Sequence, residues 1–84
     1  MITEIFAIYD VKADQFSPPV FIKNLDVLKR SLRKMVNDPG SQFSECPDDF
    51  LLYRCGEFDD ITGEFTCGVK EFEFCLSELF EKDD

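Results

Sequence analysis

Four cysteines, nine cations and eighteen carboxylates are the groups in this 84-residue chain that could do chemistry, and the chain has no histidine. Cys46, Cys55, Cys67 and Cys75 are separated by eight, eleven and seven residues. A zinc site usually includes two ligands about two to four residues apart, and no such pair occurs here. Without histidine the commonest metal ligand and general base is missing, and so is any Ser-His-Asp or Cys-His arrangement. Four cysteines allow a disulfide framework, yet the chain has an aromatic core to draw on and no export signal. The plain expectation is buried or half-buried free thiols, with no metal and no cofactor.

The carboxylates offer a second possibility. Glu57, Asp59, Asp60 and Glu64 fall close together around one turn. Oxygen ligands suit calcium, but their order lacks the alternating ligands and closing glutamate of an EF-hand. A solvated turn is the expected reading, with a basic partner surface as the alternative use of these four acids. Nothing beside them would shift their pKa values for acid–base work. Phosphate-binding glycine loops and nucleophile elbows are absent as well, so the chain is not expected to be an enzyme.

The cations are the most suggestive group, through their placement. Residues 1–44 carry six basic and five acidic side chains, a net of +1, and residues 45–84 carry three and thirteen, a net of −10. Between Lys23 and Lys34 lie Lys23, Lys29, Arg30, Arg33 and Lys34, with Asp26 as the single acid. This is an acidic chain with one basic island, an asymmetry that speaks to partners rather than to fold.

The elements that would carry these groups make one α+β domain over residues 1–84. It is an antiparallel sheet with one main amphipathic helix packed on it, and the pattern allows a short C-terminal helix. Residues 5–9 read as a strand buried on both faces, and residues 10–17 as a loop. Val20, Phe21 and Ile22 can add an edge strand or simply pack. Asn24 is suited to cap a helix with Asp26 in its first turn. Leu25, Leu28, Leu32, Met35 and Val36 recur at helical spacing, and Asn37-Asp38-Pro39-Gly40 stops the run, which predicts a helix over Leu25–Val36. On its wheel Lys29 flanks the apolar stripe, while Arg30, Arg33 and Lys34 fan across the solvent side. Such a face could neutralise phosphates, although any helix needs a solvated side.

Residues 41–48 read as a loop held by Phe43 reaching back to the core. Residues 50–58 read as a strand with residues 65–69 as its hairpin partner. In the tail, residues 72–74 suit an extended segment with its pairing partner open, residues 76–80 a short final helix, and residues 81–84 a frayed end. Most of the ten Phe must be core, although Phe16, Phe21 or Tyr53 could stack on single-stranded bases. No apolar run approaches the roughly 18 residues of a membrane span.

Three punctuated segments stand at fixed distances: Asn37-Asp38-Pro39-Gly40-Ser41-Gln42-Phe43, then Cys46-Pro47-Asp48-Asp49-Phe50, then Gly56-Glu57-Phe58-Asp59-Asp60 closed by Ile61-Thr62-Gly63-Glu64-Phe65. With Ile5-Phe6-Ala7-Ile8-Tyr9-Asp10 before them, the chain resembles the small nonstructural protein of gokushovirus-type microviruses, phages with single-stranded DNA genomes. The resemblance implies a factor that moves replication from duplex DNA toward single-strand synthesis and packaging in the host cell cytoplasm. It brings no catalytic residues. Phosphate contacts would then come from Lys23, Lys29, Arg30, Arg33 and Lys34, with single- or double-stranded DNA as the ligand.

Two further readings belong beside this one. The first is a non-catalytic interaction module for the phage initiator, a host replication protein or the procapsid, using Glu57, Asp59, Asp60 and Glu64. The second is self-assembly, since a small domain with strand edges to hide gains from pairing, and a homodimer is the default expectation.

Overall fold

A computed structural model describes residues 1–81. The expected fraying of residues 81–84 lies outside that range from Lys82 onward. Glu81 itself is tied, because its main-chain N–H donates to Asn37 Oδ1 over 2.7 Å.

Two long central strands set the architecture, β1 (Ile2–Asp10) and β4 (Phe50–Asp59), paired antiparallel along nearly their whole length. Each shares its outer edge between two short strands. β2 (Gln15–Phe16) and β3 (Val20–Ile22) pair with opposite ends of β1. β5 (Glu64–Thr66) and β6 (Glu71–Cys75) do the same along β4. The result is a six-stranded antiparallel sheet four positions wide, with the helix α1 (Leu25–Val36) on one face. The expected α+β class is the observed one.

Local chemistry accounts for α1. Asn24 Oδ1 accepts the Asp26 N–H over 2.8 Å, satisfying a donor that the first turn leaves free. Leu32 and Val36 are buried, Leu25 and Leu28 pack beside them, and all four meet Phe6, Leu52 and Phe74 from the sheet. The last turn brings Arg33 and Lys34 to the negative end of the helix dipole. Asn37 ends the helix, its main-chain N–H donating to Arg33 O over 3.1 Å.

Several expectations are corrected. Residues 10–17 form a hairpin, not a loop. Asp10 Oδ1 accepts N–H groups from Lys12 and Ala13 at 3.0 and 3.2 Å, closing a turn that sets Phe16 opposite Tyr9. Residues 41–48 also contain structure. Ser41 caps a four-residue helix, α2 (Gln42–Glu45), and Pro47–Asp49 follows as a 3-10 turn. These elements place Phe43 edge-on to Phe50 with centroids 4.7 Å apart, so the anchoring role expected of Phe43 holds. The strand expected over residues 65–69 ends at Thr66, and Cys67 to Lys70 leave the ladder. The tail pairs as β6 with β4, and its final helix is a 3-10 turn, Leu76–Leu79, that buries Leu76 and Leu79 under α1.

β4 carries an irregularity opposite Ile5 and Phe6. Gly56 sits there because an added Cβ would lie 2.5 Å from Thr66 O and 2.9 Å from Cys67 Sγ, closer than any side chain can sit. Beside the same irregularity, on the helix side of the sheet, Arg54 bridges Glu4 at 3.1 Å and Glu57 at 2.7 Å. The bond to Glu4 is the main reason its guanidinium pKa is raised further.

Candidate functional site

The basic island does not form one uniform surface. Lys29 is half-buried, and its ammonium lies 5.3 Å from the centroid of the core ring Phe74. Its position flanking the apolar stripe makes it a cover for the core edge, where a cation over a ring is favourable. Lys23 is exposed just before the cap residue Asn24, at the other end of the helix from the last-turn cations.

Arg30, Arg33 and Lys34 do come together. All three are exposed, and with Asn37 and Glu81 they line one shallow depression of about 340 Å³. Among the described residues none of the three has a carboxylate within 4.0 Å, and the ion pairs present involve Met1, Glu4, Arg54, Glu57 and Asp60. Asn37, which the sequence marked only as part of a helix stop, is the pivot of this corner. Its side-chain amide donates to Arg33 O at 2.8 Å and to Leu79 O at 3.0 Å.

The acidic set is largely engaged internally. Glu57 binds Arg54, and Asp60 lies 2.7 Å from the Met1 amino group. Asp59 accepts the Ile61 N–H over 2.9 Å, and that bond, with support from Thr62, holds its carboxyl below the usual range. Glu64 has no side-chain hydrogen bond or ion pair among the described residues. These acids shape a hairpin turn, with Gly63 N–H closing on Asp59 O at 2.8 Å and Gly63 at a positive φ of 76°. Among the described residues no group of three or more candidate ligands could hold a metal ion.

All four cysteines are free thiols. Cys55 and Cys75 are half-buried as expected, whereas Cys46 and Cys67 are exposed, because Cys46 lies between α2 and the next turn and Cys67 follows the end of β5.

The sheet face away from α1 holds the feature least visible in the sequence. Tyr9, Phe16, Tyr53 and Phe72 make one chain of ring contacts, with successive centroids 4.8 to 5.8 Å apart. Phe21, Phe58 and Phe65 make a second cluster, at 4.7 to 6.1 Å. Phe16, Phe21 and Tyr53, named above as possible stacking residues, all lie on this face. The available signal was alternation: in β1, Phe6 and Ile8 turn toward α1 while Ile5 and Ala7 line the other side.

Residues 3–77 match the family described as phage ORF5 protein. The chain belongs to this family. The phage ORF5 match begins inside β1 and ends within the final 3-10 turn, so it takes in α1, the acidic hairpin and the aromatic face. No curated protein and no solved structure matches the chain. Membership in the phage ORF5 family makes this a phage protein. Among the described residues no helix is long and apolar enough to cross a membrane.

Proposed function

We propose that this phage protein acts in viral DNA replication, or in the switch to single-strand synthesis and packaging, by binding DNA through the exposed side of α1. In this reading it is the nonstructural protein of a gokushovirus-type microvirus, acts in the host cytoplasm and catalyses nothing. The observation that carries the reading is the exposed cluster Arg30, Arg33 and Lys34. In a chain with eighteen acids and nine bases, three neighbouring cations on one helix face are left without a carboxylate partner among the described residues. A phosphate backbone would supply the missing partners, with arginine able to take phosphate oxygens in pairs. Lys29 contributes less, since Phe74 already holds its ammonium.

The test is fluorescence anisotropy of labelled single- and double-stranded DNA across a salt series. Wild type is compared with a triple variant carrying Arg30→Glu, Arg33→Glu and Lys34→Glu, after circular dichroism shows both folded. Three phosphate contacts predict a log–log salt slope of roughly −2 to −3, and loss of binding in the variant. Equal affinity in both proteins, or no binding near physiological salt, would overturn the reading. The stronger-bound strand form would indicate the replication stage.

A further inference from the structure

We propose that the helix-free face of the sheet is a homodimer interface, covered by a second copy of this chain across a two-fold axis. An antiparallel sheet with one face open to water normally alternates apolar and polar residues along each strand. Here the outward positions are aromatic. Phe21, Phe65 and Phe72 are 47%, 60% and 56% exposed, and a depression of about 380 Å³ runs between the two ring clusters. The molecule is 18 Å thick in its least dimension, room for one helix layer and one sheet layer. Among the described residues no third layer covers the rings. An exposed apolar area of this kind marks an interaction site.

Size and charge select the occupant. Four strand positions at about 4.8 Å and strands about 30 Å long give a footprint of roughly 580 Å² before the relief of the rings is counted. That approaches the roughly 800 Å² per partner of a stable interface. Among the described residues Lys70 is the one charged side chain lining the depression, with its ammonium 5.6 Å from the Phe16 ring and 5.8 Å from the Tyr53 ring. A single cation already seated on rings does not make the positive groove that tracks a single-stranded backbone. The net charge of −9 on the whole chain further opposes a polyanion. A second copy needs no such groove, since it brings the same mainly aromatic surface, whose lysine already sits on rings, and two-fold pairing uses one patch twice. The edges are poor alternatives, being strands of two, three, three and five residues. This inference stands apart from the DNA-binding reading, because the basic side of α1 lies on the opposite layer and stays open.

The experiment is sedimentation velocity from low micromolar to the highest soluble concentration, at low and high salt. It uses wild type, Phe65→Lys and Phe72→Lys, with circular dichroism as the folding control. Wild type should pass from monomer to dimer with concentration, and more readily at high salt, because each copy carries −9 and apolar contact survives screening. Each lysine should weaken association about tenfold or more. Iodoacetamide labelling of the wild type gives a second readout, independent of the variants' folding. Cys67, which lines the depression, should be alkylated more slowly as dimer accumulates, while Cys46, near α2, should not. A monomer at every concentration, a dimer indifferent to both lysines, or protection at Cys46 in place of Cys67 would overturn the proposal. A monomer whose single-stranded DNA binding is lost in the lysine variants would overturn it too, and assign the rings to base stacking.

Discussion

The side-chain amide of Asn37 donates to the carbonyl of Leu79 across 3.0 Å, joining the end of α1 to a turn 42 positions further along the chain. The same side chain accepts from the Glu81 N–H and donates to Arg33 O, so one residue satisfies three main-chain groups. The basic corner of the helix and the C-terminal segment are thereby held as one unit.

Asn37→Ala should therefore cost about 1–3 kcal/mol, since it strands main-chain groups at a half-buried site. Urea unfolding would measure the loss. Hydrogen exchange should show the weakening concentrated in residues 76–81 and the last turn of α1. Uniform weakening would mean that Asn37 acts only as a helix cap.

Phe43→Ala should destabilise by about 2–3 kcal/mol, below the cost of a fully buried phenylalanine because Phe43 is half exposed. The edge-on contact with Phe50 is what it removes. Thermal melts and DNA titrations on the same sample separate the possibilities. A binding defect with an unchanged melting temperature would show that Phe43 serves the ligand and not the fold.

Gly56→Ala should cost about 1–3 kcal/mol, as the new methyl meets the main-chain oxygen of Thr66, which cannot swing away as a side chain would. The strain falls where β4 and β5 run together. Protection of the Phe58 and Phe65 amides should drop before that of Phe6 or Leu52.

Asp59 gives a pH dependence of definite sign. Its folded pKa is depressed, first by the Ile61 N–H, so its contribution is fully present above the unfolded value of about 3.9. That contribution is lost as pH falls through the lower folded value. Asp59→Asn should lower the melting temperature at neutral pH, and the gap to wild type should narrow below about pH 4. A gap that stays constant with pH would place the effect in the turn's shape and not in its charge.

Legibility in the sequence followed the length and regularity of each element. α1 was readable to both ends because its apolar stripe, its Asn24 cap and its Asn37–Gly40 stop all agree. β2 and α2, two and four residues long, are too short for any period to show. They exist through Asp10 and Ser41, whose side chains close local turns. The basic island was readable as a list but not as a surface, because one helical position decides whether Lys29 meets Phe74 or water. The aromatic face was hidden for another reason. Ten phenylalanines in a small chain suggest one core, and only strand register shows that Tyr53 and Phe72 leave by the far side.

The pairing of the two central strands also fixes when this protein can fold. β1 ends at residue 10 and β4 begins at residue 50, with the Ile5 and Gly56 positions in register. During synthesis, at about 5–20 residues per second, the first strand waits roughly 2–8 seconds for the segment that covers it. Helix α1 can form in that interval, but it has no completed sheet to pack on. The inner edge of the apolar run Ile5-Phe6-Ala7-Ile8 stays unpaired until β4 emerges, while β3 can already meet its outer edge at Ile5 and Phe6. The ribosome sets the minimum length of that interval, whatever the intrinsic folding rate of the domain.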